Sequence, residues 1–89
     1  MLRFAPSVAA RVQEATWHPT QRVEVEADGS LTWHATVAGT IEIRLWILSW
    51  GDDVEVIAPD DLRFDVASTH RRAAARYAAL GKPPPTGVG

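Results

Sequence analysis

Two alternating apolar runs hinged on Asp28-Gly29 constrain this chain more than any other feature of its sequence. From Gln21 to Ala27, Val23 and Val25 face one way, while Arg22, Glu24 and Glu26 face the other. Beyond the hinge, Leu31, Trp33, Ala35 and Val37 alternate with Thr32, His34 and Thr36. Strict alternation marks a strand with one buried face, and Asp-Gly between two such runs marks a hairpin. The register follows from keeping the apolar residues together. A two-residue Asp28-Gly29 loop would pair Val25 with Thr32 and put the apolar sets on opposite faces. A three-residue loop, Ala27-Asp28-Gly29, pairs Val25 with Leu31 and Val23 with Trp33. The sequence therefore predicts a type I turn with Gly29 left-handed in a bulge, and outward pairs Glu24–Thr32 and Arg22–His34.

The rest of the chain supplies elements around this hairpin. Leu2 and Phe4 alternate with Arg3 and Ala5 as a short strand. It starts almost at the first residue, as expected of a domain cut from a longer chain. Pro6 opens a helix to about Ala15, with Val8, Val12 and Ala15 as its apolar stripe. Trp17-His18-Pro19-Thr20 breaks it, because proline biases the preceding residue toward extended backbone. Gly39-Thr40 starts the next element, with Thr40 in an N-cap position. Ile41 to Leu45 alternates as a strand would, but residues 45–48 break the alternation. Ile41, Leu45 and Leu48 share one helical stripe and Gly51 is a good stop, so a helix is expected.

Val54, Val56 and Ile57 form a further β-branched run, ended by Ala58-Pro59. A long helix follows. Asp60 and Asp61 suit its positive end, and Arg71, Arg72 and Arg76 suit its later turns. Leu62, Val66, Ala73, Tyr77 and Leu80 make its expected buried stripe, and Gly81 stops it. The expected domain covers residues 1–81, and residues 82–89, with Pro83-Pro84-Pro85, are expected to be a disordered tail. The order is that of an α+β, ferredoxin-like βαββαβ fold: a four-stranded antiparallel sheet with two helices on one face, plus an extra helix.

Composition narrows the function. Apolar residues are 46% of the chain and charged residues 22%, values that fit a globular core rather than disorder. The absence of cysteine removes disulfides, thiolate metal sites and cysteine nucleophiles, and fits a reducing cytoplasm. No apolar run nears the roughly 20 residues of a membrane span. The net charge of −2 argues against a domain that grips duplex DNA alone. Eight of the nine basic residues are Arg, which favours planar contacts to phosphate or carboxylate and is also what a GC-rich coding sequence gives.

No catalytic pattern emerges. His18, His34 and His70 lie in no metal-binding spacing, no serine has a Gly-x-Ser-x-Gly context, and no glycine-rich phosphate loop is present. Asp52-Asp53 and Asp60-Asp61 sit at element ends, where turn and capping roles suffice. Neither an enzyme nor a bound cofactor or metal is expected. The outward sheet residues Arg3, Arg22, Glu24, Thr32, His34, Thr36 and Glu55 include no aromatic, so base stacking on the open sheet fails on its key feature. Four tryptophans are many for this length. Trp33 belongs to the core, and Trp17 is expected to plug the sheet edge. Trp46 and Trp50 cannot both share a core face with Ile41, Leu45 and Leu48. With Ile43 they form either an exposed apolar interface patch or a surface covered by the long C-terminal helix.

An ordered set of short motifs resembles a known family. Leu2-Arg3-Phe4-Ala5-Pro6 is followed by Val8-Ala9 and Val12. Then come Trp17-His18-Pro19-Thr20-Gln21, Asp28-Gly29-Ser30-Leu31 and Trp46-Ile47-Leu48-Ser49-Trp50-Gly51. Val54-Glu55-Val56-Ile57-Ala58-Pro59, Leu62 and Tyr77 complete the set. The chain in this respect resembles the C-terminal extension domain, WCX, of WYL-type bacterial transcription regulators. The family usually has Ser at Thr20, Phe at Trp50 and a Ser or Thr cap at Ala5. The resemblance implies an effector-sensing and dimerising domain of a cytoplasmic regulator, a homodimer whose partners are the WYL and winged helix-turn-helix domains of the same parent protein. The effector it implies is single-stranded DNA or a nucleotide. The candidate ligand-binding residues are then Arg3, His18, Gln21, Arg22 and His34. His18 and Gln21 match the family motif, Arg22 and His34 pair on the outward face, and Arg3 is expected near them. The alternative is that His18 and Gln21 only tie down the helix-to-strand turn. A purely structural protein–protein module, built on Ile43, Trp46 and Trp50, is the alternative for the whole domain.

Overall fold

The hairpin forms as its alternation requires. In the computed structural model, which describes residues 1–78, strands β2 (Arg22–Val25) and β3 (Leu31–His34) pair antiparallel. The register is Arg22 with His34, Val23 with Trp33, Glu24 with Thr32 and Val25 with Leu31. Gly29 has a φ of +88°, and its N–H donates to Glu26 O at 3.0 Å, while Glu26 N–H donates to Ser30 O at 2.7 Å. The Asp28 carboxylate accepts from Ser30 N–H at 2.9 Å and from Ser30 Oγ at 2.6 Å, closing the turn. A side chain at Gly29 would meet Pro6 at 3.4 Å in a backbone region that L residues avoid.

Two further strands complete an antiparallel sheet of order β2-β3-β1-β4, with β1 at Leu2–Phe4 and β4 at Val54–Val56. One sheet face carries Leu2, Phe4, Leu31, Trp33 and Val56, all buried. These join a single core with Val8, Ala9 and Val12, with Ile43 and Ile47, and with Leu62 and Val66. Those three groups come from helix α1 (Ala9–Gln13) and the 3-10 turn before it, from α2 (Ile41–Ser49), and from α3 (Asp60–Ala78). The Ala58–Pro59 peptide bond that precedes α3 is cis.

The helices depart from the sequence expectation in three places. The first is shorter: a 3-10 turn over Pro6–Val8 leads into α1, which ends at Gln13 and leaves Ala15 exposed. In α2 the buried row is Ile43 and Ile47, at 5% and 0% exposure, whereas Ile41 and Leu45 are 79% and 61% exposed. Ile43 therefore belongs to the core and not to a surface patch, and Trp46 and Trp50 are packed against the core as well. A helix that is apolar on nearly every side gives no periodicity to choose its face; packing chooses it. Turning the i, i+4 rows Ile43/Ile47 and Trp46/Trp50 inward buries two indoles, the largest apolar areas available. Gly51, at φ +61°, follows this helix as expected.

In α3 only Leu62 and Val66 of the expected stripe are buried, while Ala73 and Tyr77 are exposed. Nineteen residues span about 28 Å, and residues 71–78 are all exposed: the helix outruns the core surface it packs on. Leu80, Gly81 and the expected tail lie outside the described residues. Arg44 locks α2 to α3, its Nε donating to Asp65 Oδ2 at 2.6 Å and its Nη2 to Thr69 Oγ1 at 2.7 Å.

The tryptophans form one cluster with Phe4. Trp17 stacks on Trp46 at 5.0 Å between ring centroids, and Trp46 lies 5.1 Å from Trp33. Phe4 meets Trp46 and Trp50 edge-on at 5.7 and 5.4 Å. Trp17 thus packs over the middle of the aromatic cluster, and each such pair adds about 0.5–1.5 kcal/mol beyond its buried area.

Candidate functional site

The five polar residues singled out from the sequence fall into two groups. His18 and Gln21 lie in the turn between α1 and β2, where both side-chain polar atoms of Gln21 and Nδ1 of His18 are engaged. Gln21 Oε1 accepts Trp17 N–H at 2.7 Å and His18 N–H at 3.1 Å, and Gln21 Nε2 donates to Ala15 O at 3.4 Å. His18 Nδ1 accepts Thr20 N–H at 3.2 Å and lies 2.8 Å from Thr20 Oγ1. That hydroxyl accepts Thr36 N–H at 3.0 Å and lies 3.2 Å from Thr36 O, so its one proton goes either to Thr36 or to His18. The Trp17-to-Gln21 motif is thus a staple. It ties the end of α1 to the start of β2 and to the segment after β3.

Arg3, Arg22 and His34 occupy the outward sheet face. Arg22 and His34 sit opposite each other on β2 and β3. Arg3 lies one row along, between Thr32 and Glu55 on the flanking strands, and β3 separates it from Arg22. Carboxylates surround it. Glu24 and Glu55 share its row, and Glu26 and Asp28 line with it a shallow groove of about 370 Å³. Glu26 accepts the Thr32 hydroxyl at 2.7 Å, across this face. Asp28 is held below the usual carboxylate range by its two bonds from Ser30, with Arg3 adding a smaller electrostatic pull. Glu55 is also paired with Arg63 Nη1 at 3.1 Å, and Glu24 lies across β3 from Arg3, two residues along β2 from Arg22, so acids flank both arginines.

A second concavity escaped the sequence reading. A groove of about 600 Å³ runs between Trp17 and His18 on one side and residues 37–42 on the other. Gly39-Thr40 signalled a helix start but not the opposite wall. Thr40 holds the N-cap position of α2 without a side-chain capping bond. Among the described residues, no group of three or more His, Asp or Glu is placed to hold a metal ion, and no helix is long and apolar enough to cross a membrane.

A family model described as the WCX domain matches residues 1–74. The chain belongs to the WCX domain family. No curated protein matches it. In this WCX domain the motif residues take definite places. Leu2-Arg3-Phe4 is β1, Trp17-to-Gln21 is the staple, Asp28-Gly29-Ser30 is the hairpin turn and Trp46-to-Gly51 ends α2 in the aromatic cluster. Trp50 keeps its ring inside that cluster, and its Nε1 is buried without a hydrogen-bond partner among the described residues.

Proposed function

We propose that this WCX domain is the effector-sensing and dimerising part of a WYL-type transcriptional regulator, binding rather than catalysing. On this reading it works beside the WYL and winged helix-turn-helix domains of its parent protein in the cytoplasm. The observation that carries the proposal is the family match over residues 1–74. The strand order β2-β3-β1-β4 supports a ferredoxin-like plan, in which each helical connection crosses over a strand of the sheet. The outward sheet face then faces the effector, single-stranded DNA or a nucleotide. It would bind by charge-assisted hydrogen bonds, because it carries no aromatic platform. Arg22, with His34 opposite, is its phosphate-facing donor, and Arg3, with Glu26 and Asp28 lining its groove, contributes less. His18 and Gln21 shape the turn that precedes Arg22, and His18 lines the groove at residues 37–42.

Titrating a short single-stranded oligonucleotide at low salt into the chain and its variants tests this. Arg22→Ala should weaken binding about tenfold, since one charged contact to phosphate is worth roughly 1.5 kcal/mol. Arg3→Ala should cost less. Unchanged affinity in both would remove the sheet face from the proposal. The second reading is a purely structural protein–protein module, now favoured by Ile41 and Leu45, 79% and 61% exposed on α2. It expects no oligonucleotide binding at any salt concentration, so the same titration separates the two.

A further inference from the structure

β2 is an edge strand whose inner side pairs with β3; among the described residues no strand pairs with its outer side. Antiparallel ladders alternate, so each residue turns both backbone groups toward the same neighbour. The bond from Glu26 N–H to Ser30 O sets the phase. Glu26, Glu24 and Arg22 turn their backbone groups toward β3, and Val23 and Val25 turn theirs outward. The side chains of those two valines are also uncovered. Val23 and Val25 are 39% and 59% exposed, whereas Trp33 and Leu31 opposite them are 1% and 0% exposed. Protected edges carry prolines, lysines, bulges or inward-pointing charges. Between Arg22 and Val25 there is none of these: the charges point to the outward face and alternate in sign.

That alternation makes the edge complementary to itself. An antiparallel two-fold axis at Val23 sets Val23 against Val23, and sets Arg22 against Glu24 of the second copy twice over. The two Val23 residues exchange both backbone bonds, and each Val25 meets Gln21 across the axis. Moving the axis to Glu24 sets glutamate against glutamate. A one-residue slip turns the apolar row of one copy onto the polar row of the other. We infer that the outer edge of β2 pairs with β2 of a second copy of this chain, in the register Arg22 to Glu24 and Val23 to Val23. Two four-stranded sheets become one continuous sheet, with an isologous contact that closes as a dimer. The inference rests on the dimerising part of the proposed function and gives it a surface.

Charge reversal tests it by sedimentation equilibrium on the chain. Arg22→Glu and Glu24→Arg each replace two opposite-charge pairs by two like-charge pairs, and each should weaken the dimer about tenfold or more. The double variant Arg22→Glu, Glu24→Arg restores both pairs with signs exchanged, and should return to within about threefold of the wild type. Both positions are exposed, and circular dichroism checks that each variant is folded. A wild-type dimer indifferent to both reversals would overturn the β2 edge and leave dimerisation standing on another surface. Single variants weakened without rescue in the double variant would overturn the register. A wild type that stays monomeric at millimolar concentration would overturn both the inference and the dimerising reading beneath it.

Discussion

Gln21 answers two backbone donors with one oxygen: Oε1 lies 2.7 Å from Trp17 N and 3.1 Å from His18 N. These N–H groups sit in a part-buried turn that belongs to neither helix nor strand, so no ladder can take them over. Gln21→Ala should cost about 1–3 kcal/mol in urea unfolding with an unchanged slope. Gln21→Glu keeps the acceptor, loses only the weaker bond to Ala15, and should cost less. Measured where both variants are folded, Gln21→Ala should bind an oligonucleotide as the wild type does. A tenfold loss there would make Gln21 a ligand contact after all.

Trp50 combines a favourable ring with an unfavourable donor. Its ring stands edge-on to Phe4 at 5.4 Å, and the Arg11 guanidinium lies 5.8 Å from its centroid. Its Nε1 is buried with no partner among the described residues, a cost on the order of 1–3 kcal/mol. Phenylalanine would keep the edge contact and remove the orphan donor, while leaving some empty volume. Trp50→Phe should therefore unfold within about 1 kcal/mol of the wild type, and Trp50→Ala should cost about 3 kcal/mol. Equal losses for both would mean that indole volume, and not an aromatic edge, is what the cluster needs.

These residues show where the sequence was readable. The hairpin register was legible because alternation has period two, so one wrong step reverses every face, and because Gly29 occupies a backbone region that other residues avoid. The core face of α2 was not legible. With Ile41, Ile43, Leu45, Trp46, Ile47 and Leu48 in a row, every face is apolar, and only the positions of Phe4, Trp17 and Trp33 decide. For α3 the stripe was readable but its extent was not, because periodicity says which side of Tyr77 is apolar and not where the surface beneath it stops. The same limit applies to Val23 and Val25: alternation assigns their face, but no residue in β2 records that the two side chains stay exposed on it. The Trp17-to-Gln21 motif was legible as a unit. Its partner, Thr36, is remote in sequence and became visible only in the fold.

The Asp28 turn gives a pH dependence whose sign is fixed. Bonds from the Ser30 hydroxyl and then the Ser30 N–H hold the carboxyl below its ordinary value. A carboxylate whose folded pKa is depressed contributes stability that is fully present above the unfolded value, about 3.9, and lost as pH falls through the folded one. Asp28→Asn keeps an acceptor for the turn but cannot titrate there. The wild type should therefore exceed Asp28→Asn in urea midpoint at about pH 6, and the gap should narrow by about pH 3. Amide exchange should locate the change, with Glu26 and Gly29, whose N–H groups close the turn, losing protection before the β1 amides. Because this turn holds β2 in register, the same acidification should weaken any pairing through the β2 edge. A gap that stays constant between the two pH values would show that the charge on Asp28 contributes nothing, and that the turn rests on Gly29 and its backbone bonds.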